Sequence, residues 1–500
     1  MAQSAVGTAY ERTGECPAGD LLAGVARIDI TPPIPADCMG FVRRSEPATG
    51  VLAPLTATAL VIEDADGNRA VIIAMDLVAL GCAQADRMRE MVASAVNTSP
   101  DAVFLNYSHT HAGPHVTEGS LRKLGGSMRT IFEKEKLYIQ NLPYELVGVA
   151  TMAARDLVPV RLAAGSIDVP GISVNRRERT ADGRTILGWN PDGAVDDELI
   201  VLKLATGNGD TLATVANFAC HPVVLGGENP NVGPDYPGAL RALVEANLGG
   251  MCFFLAGAAG NVLPLESFHA DAGPEIVFGE RLGYAALHVA AQMSPYSSHI
   301  ERLDYGSVTP ISLYRRVVDD PQPPQRISWG AVRADLPLKP LPTLEEVEKL
   351  LAEYRAEWQT AADAGRPQPE LNPLDYHVQW AENSVARLQS GEEIETSVSA
   401  YVQAIRIGDV AIVGLPGEPF NEIGRAVKEG SAAPFTLFAG YSNGYIGYFP
   451  TAAEYPYGGY EPSYSHHNTE LLEQIAPESE EILVRSCIEA IAVAFSKSQS

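Results

Sequence analysis

Five hundred residues exceed what one simple core holds, because single hydrophobic cores stop growing at roughly 250–300 residues. A chain that is 46% hydrophobic and 20% charged has the composition of a globular protein. Its formal net charge of −26 repels nucleic acid and anionic membrane surfaces, so neither is an expected partner.

Residues 1–20 are polar, carry Glu and Asp, and read as a flexible leader without the basic start and apolar run of a secretory signal. GVARIDITPP alternates apolar and polar residues and stops at a proline pair, as a strand does. ATALVIEDADGNRAVIIAMDLVAL is two apolar runs around a DADGN turn, which predicts a hairpin. A helix is expected through CAQADRMREMVASAV, then a buried strand in DAVFLNYSHTHAGP that opens into a polar loop. YPGALRALVEANLG has helical periodicity, MCFFLAGAAGNVLP is another buried strand leading into a loop of small residues, and GERLGYAALHVAAQM is a helix. The stretch 310–400 differs. It is rich in Pro, Glu, Lys and Arg, and is expected to be an inserted helical hairpin or a lid. Alternation returns in YVQAIRIGDVAIVGLPGE, followed by a helix in NEIGRAVKEG, a strand in FTLFAGYSN, and a C-terminal helix over LLEQIAPESEEILVRSCIEAIAVAF. Strands alternating with helices argue for an α/β core. No apolar run approaches the ~20 residues of a membrane helix, so stable membrane insertion is not expected. Six sparse cysteines (Cys16, Cys38, Cys82, Cys220, Cys252 and Cys487) include no CxxC pair. They suit a reducing compartment, so the expected location is cytoplasmic.

Chemistry concentrates at a few points. SHTHAGPH at 108–115 puts three of the ten histidines within seven positions, just past a buried strand. Neutral imidazole offers a directional lone pair, so His109 and His111, two residues apart on an extended loop, are candidate metal ligands. NFACHPVVLG places His221 at a strand end, where a histidine gains meaning as a further ligand. Glu418 in VGLPGEPFNEIG follows a buried strand and precedes a helix, so it suits either a ligand or an N-terminal helix charge. Tyr441, Tyr445, Tyr448, Tyr455, Tyr457, Tyr460 and Tyr464 fall within 24 residues, and phenols can bind metal or donate to a developing oxyanion. There is no P-loop and no GxGxxG after a strand, which leaves nucleotide chemistry unmotivated.

GVARIDITPP with a following MGF, then MDL, SHTHAGP, ACHP, AGNVLP, PGEPF and GYSNGYIGY occur in the order seen in the neutral/alkaline non-lysosomal ceramidase family. The resemblance runs over roughly residues 22–490 and concerns the catalytic domain alone, with no counterpart expected for the family's C-terminal immunoglobulin-like domain; it implies an α/β, mixed-sheet catalytic domain over 21–500 with helices packed around it. It implies one zinc ion held by His109, His221, Glu418 and Tyr448. It implies that His111 lies beside the zinc-bound water and that Tyr460 donates to the oxyanion. It also implies that Arg176 of VNRRE contacts substrate, although Arg177 matches equally well. Asp76 of MDL and Asp235 of GPDYPG are candidate orienters of the metal-bound histidines. Leu263 of AGNVLP stands where the family has a serine, which argues against a serine nucleophile.

The activity implied is hydrolysis of an amide (N-acyl) bond by a zinc-activated water. An ester or lactone hydrolase on the same site, and a non-catalytic metal-binding homologue, are the alternatives. The partner expected is a small N-acyl or related compound, more polar than long-chain ceramide, and a homo-oligomer is left open.

Overall fold

The computed structural model describes residues 21–116, 133–303, 312–319, 323–391, 393–469 and 471–496. The leader expected at 1–20 lies outside these. The fold is α/β, as expected, and is built in four layers. An eight-stranded mixed sheet runs in the spatial order Met251–Ala256, Thr211–Phe218, Glu198–Thr206, Val158–Asp168, Leu21–Asp29, Thr56–Asp64, Arg69–Met75, Val103–Tyr107. A four-stranded sheet packs on one of its faces, in the order Ile327–Pro337, Ser397–Ile407, Val410–Gly414, Phe435–Ala439.

The continuous apolar runs seen in sequence are strands buried on both faces. Leu60, Ile62, Ile72 and Ala74 point between the two sheets, where they meet Ile405, Ile412 and Leu437. Their neighbours Ala59, Val61, Val71 and Ile73 point the other way. There they pack under helices Cys82–Val96, Glu133–Arg155, Asp235–Leu248 and Pro274–Gln292 through Met88, Leu146, Leu240 and Leu282. The outer face of the smaller sheet, with Val402 and Val413, is covered by helices Asn421–Gly430 and Ser479–Ser496 through Ile423, Val427, Leu483 and Ile491. Each such aliphatic side chain contributes ~1.5–3 kcal/mol on full burial.

The DADGN hairpin forms as expected between Thr56–Asp64 and Arg69–Met75, with Asp64 Oδ1 accepting from the Asp66 and Asn68 amides. The C-terminal helix starts later than its apolar pattern suggested, at Ser479, because Pro477 interrupts the preceding turn. Within 310–400, the helical part is the antiparallel pair Leu344–Asp363 and Gln368–Ser390, bridged by Arg355 and Glu382 at 2.7 Å. Residues Ile327–Pro337 are instead a strand of the smaller sheet, in register with Ser397–Ile407 along its whole length. Its alternating pattern, ISWGAVRADLP, was overshadowed by the charged residues on either side.

Three parallel strand pairs decide where the site falls. Arg69–Met75 pairs with Val103–Tyr107, Thr211–Phe218 with Met251–Ala256, and Val410–Gly414 with Phe435–Ala439. Parallel partners end on the same side, and ligands of α/β sheets bind beyond those carboxyl ends. Two buried amides tie the three pairs together there. Asn106 accepts from the Ala256 amide at 3.2 Å and donates to the Gly440 carbonyl at 2.9 Å. Asn217 donates to the Leu255 and Phe438 carbonyls. Among the described residues, no helix is long and apolar enough to cross a membrane.

Candidate metal centre

His109 and His111 leave the end of strand Val103–Tyr107, His221 follows Thr211–Phe218, and Glu418 follows Val410–Gly414. Though far apart in sequence, they meet at one point. The donor nitrogens of His109, His111 and His221 lie within 4.8 Å of one another, so these three residues can hold a metal ion. Glu418 Oε2 is 3.3 Å from His109 Nε2 and 3.1 Å from His221 Nε2. His109, His221 and Glu418 are almost wholly buried, while His111 is half-buried.

The hydrogen bonds around the centre fix which atoms face it. His109 Nδ1 is bonded to the Val78 carbonyl at 2.9 Å, and His221 Nδ1 to the Ala259 carbonyl at 2.5 Å. A backbone carbonyl only accepts, so each Nδ1 carries the proton and each Nε2 presents a lone pair. Glu418 Oε1 accepts from the Tyr445 hydroxyl at 2.7 Å, leaving Oε2 directed at the histidines. Among the described residues, His109 Nε2, His221 Nε2, Glu418 Oε2 and both nitrogens of His111 are buried without a hydrogen-bond partner. Leaving one such group unsatisfied ordinarily costs ~1–3 kcal/mol, and five converging on one point are groups that a bound cation could satisfy. Burial pushes the His221 imidazole down to about 4, and Arg176 adds to this. Burial and the neighbouring His109 and His221 hold His111 well below its ordinary value. Burial alone would raise the Glu418 carboxyl, but His109 and His221 outweigh it and keep it well below the usual carboxylate range. Neutral His111 and His221 imidazoles beside an ionised carboxylate are protonation states that suit a hard or borderline divalent metal.

Backbone strain coincides with the centre. His109 has φ +66° and Tyr441 has φ +53°, the left-handed region that side chains with a Cβ rarely adopt. The Tyr441 ring lies on the His109 imidazole with centroids 4.2 Å apart, and its buried hydroxyl has no partner. Tyr441 and Tyr445 are site residues that the sequence marked only as part of a tyrosine-rich stretch. The GYSN turn, which needs an unusual backbone, was the available signal.

Tyr448 is brought in by a short parallel pairing of Glu418–Pro419 with Tyr448–Phe449, in which Glu418 and Tyr448 are register partners. Its hydroxyl accepts from Arg176 Nη2 at 3.0 Å. The Tyr460 ring lies edge-on to Tyr448, 5.4 Å away, and its hydroxyl accepts from Asn468 Nδ2 at 2.8 Å, which leaves its own proton to donate. Arg176 also bonds Glu461 through Nε at 2.8 Å. The structure separates the two arginines that the sequence could not. Arg176 reaches Tyr448, whereas Arg177 is spent on Glu461, Glu454 and the Gly458 carbonyl.

Asp76 and Asp235 stand elsewhere. Asp76 makes a two-pronged pair with Arg241 at 2.8 and 2.7 Å and accepts from Thr56. Asp235 accepts from the Leu225 and Tyr236 amides at the start of its helix, where burial raises its carboxyl to about 7 against the pull of those amides. Neither aspartate bonds a site histidine, and backbone carbonyls of Val78 and Ala259 occupy that role instead. Leu263 is buried against Val174 and Val223.

A buried cluster of histidines and a carboxylate at the carboxyl ends of an α/β sheet is an arrangement that can hold a metal ion. Residues 21–257 match the family model described as neutral/alkaline non-lysosomal ceramidase, N-terminal. Two solved structures share the fold. One is a ceramidase complexed with C2, 19% identical, with a TM-score of 0.65 over 95% of this chain and 75% of that one. The other is the neutral ceramidase from Pseudomonas aeruginosa, 20% identical, with a TM-score of 0.64 over 95% of this chain and 74% of that one. The chain is similar to the neutral/alkaline ceramidase family in sequence over 21–257 and in fold over nearly all its length.

Proposed function

We propose that the protein is a metal-dependent hydrolase of amide (N-acyl) bonds, with zinc as its metal. The observation that carries this reading is the convergence of His109 Nε2, His221 Nε2, Glu418 Oε2 and the His111 nitrogens, all buried and all without a partner. Similarity to the ceramidase family supports the bond type. His109, His221 and Glu418 would hold the ion, with Tyr448 as a fourth donor beside Glu418. When bound, zinc supplies positive charge beside the scissile carbonyl and a water activated near neutral pH.

The protein's own groups account for the rest of the reaction. Tyr445 fixes the Glu418 carboxylate through Oε1 and so sets the direction of Oε2. His111, held neutral, accepts a proton from the attacking water and returns it to the leaving nitrogen, which departs poorly as an anion. Tyr460, whose proton is not used in its bond to Asn468, donates to the developing oxyanion. Arg176, anchored by Glu461, holds the Tyr448 hydroxyl and lies where it can meet the substrate's polar group.

The test is metal analysis of the purified protein followed by kcat/KM on short N-acyl amines, detergent-dispersed long-chain ceramide, esters and lactones. One zinc per chain and chelator-sensitive cleavage of a short N-acyl amine are expected. Absence of stoichiometric metal would overturn the reading, and a preference for ceramide would overturn the expectation of a more polar substrate.

A further inference from the structure

The turn around MGF has no role in the chemistry above, yet it closes on one catalytic group. Gly40 has φ +107°, and a Cβ built on it would lie 2.4 Å from His111 Cγ and 2.5 Å from His111 Nδ1. The position therefore needs glycine twice over, for the backbone and for the close approach. The next residue, Phe41, sets its ring edge-on to the His111 imidazole at 4.9 Å. Arg44, itself buried, donates from Nη1 to the His111 carbonyl at 2.9 Å and from Nε to the Gly227 carbonyl at 3.3 Å. Its guanidinium also sits over the Phe41 ring. Pairing of Met39 with Gly113 and of His115 with Asp37 fastens this turn along the HTHAGPH loop. On its far side, the buried Asn372 of the second insertion helix donates to the Arg44 carbonyl at 3.2 Å.

His109 and His221 each have an Nδ1 bond to a carbonyl that orients the ring, but neither ring nitrogen of His111 has a hydrogen-bond partner among the described residues. Something other than a hydrogen bond to the ring must set its direction. We propose that Gly40, Phe41 and Arg44 are positioning residues that clamp His111 at its working orientation, and that Asn372 ties the seating of the helical pair to that clamp. This rests on the proposed hydrolase reading. Gly40 and Phe41 restrict the ring on two sides, and Arg44 fixes the backbone from which it projects. The helical pair thereby acts on the chemistry at one remove, through Asn372 and Arg44, without contributing a group to the metal.

The experiment compares Gly40→Ala, Arg44→Met, Arg44→Lys and Asn372→Ala in the zinc-loaded full-length protein, reading metal content, kcat, KM and the crystal structure of each. Metal should stay at one per chain and KM should hold within about threefold, while Gly40→Ala and Arg44→Met lower kcat by about 30-fold or more, the range for losing a positioned acid–base group. Arg44→Lys should recover part of that loss, because an ammonium can still donate to the His111 carbonyl. Asn372→Ala should cause a smaller fall of the same kind. Metal-loaded Gly40→Ala and Arg44→Met variants with wild-type kcat would overturn the clamp. If the wild-type protein cleaves no amide, the hydrolase reading fails, and the crystal structures still decide the clamp. A His111 ring turned away from His109 and His221 in Gly40→Ala or Arg44→Met supports it, and an unmoved ring in both refutes it.

Discussion

Two buried polar clusters share the strand Ser173–Arg179, and they differ in how their polar atoms are satisfied. Around Arg177, donors and acceptors find each other: Nη1 meets Glu461 Oε2 at 2.6 Å, Nε meets Glu454 Oε2 at 2.9 Å, and Nη2 meets the Gly458 carbonyl. At the histidine centre, five buried nitrogens and oxygens have no hydrogen-bond partner among the described residues. Arg176 stands between the clusters, with one prong on Glu461 and one on Tyr448. A satisfied buried network fixes structure, and here it pins the tyrosine-rich segment against the strand. An unsatisfied one persists only where a ligand completes it. On the proposed reading, one cluster holds the site and the other performs chemistry in it.

Several measurements can break or sharpen that division. The largest effect is expected from His221→Ala, which should lose the metal and lower kcat/KM by at least about a thousandfold, or ~4 kcal/mol of barrier. A variant that keeps one metal per chain, by elemental analysis, would remove His221 from the ligand set. His111→Ala should keep most of the metal and lose about 10²–10⁴-fold in kcat. An apo protein from that variant would instead make His111 a ligand, as the mutual proximity of the three histidines allows.

On the satisfied side, Arg177→Met strands the fully buried Glu461 carboxylate without one of its partners and should cost about 3–5 kcal/mol in denaturant unfolding. Its folded fraction should still bind metal. Loss of metal with the fold intact would mean that the two clusters are one.

The next prediction concerns pH. The His221 imidazole lies at about 4 in the folded chain, against ~6.5 when unfolded, so the folded state binds fewer protons between those values. Stability of the chelator-treated protein should be full above pH ~6.5 and fall as pH drops toward 4, by up to about 3 kcal/mol from this group. His111 is displaced in the same direction and adds to the slope. A melting temperature that stays level from pH 7 to 4 without metal would contradict the buried, neutral state of these rings.

The smallest effect on turnover should come from Leu263→Ala, which leaves kcat within about tenfold, ~1.4 kcal/mol, because no covalent step passes through this position. The substitution removes packing against Val174 and Val223 and should cost about 2–5 kcal/mol of stability. An acyl group trapped on any side chain would end the metal-activated-water reading.

The sequence by itself determined the strand-ends and the residue types placed on them. His109, His111, His221 and Glu418 were legible as candidates because each follows an apolar run that ends in a turn, the pattern of a buried strand feeding a loop, while only the family resemblance singled out Glu418 as a ligand. Four layers rather than one sheet wrapped by helices was not legible, since Ile72 and Ile73 are equally apolar and only packing assigns one to each face. Nor could the sequence choose between Arg176 and Arg177, because both reach Glu461 and the partners that tell them apart, Tyr448 and Glu454, come from a distant segment of the chain. The orienters of the histidines were misjudged for a related reason. Acidic residues in motifs attract attention, but the groups that bond His109 and His221 are main-chain carbonyls 31 and 38 residues away. Every residue carries such a carbonyl, so only the tertiary path of the chain decides which one reaches a ring nitrogen. The same holds for Gly40, Arg44 and Asn372. Their meaning lies in what they approach, and that was settled when the insertion helices and the MGF turn closed on the HTH loop.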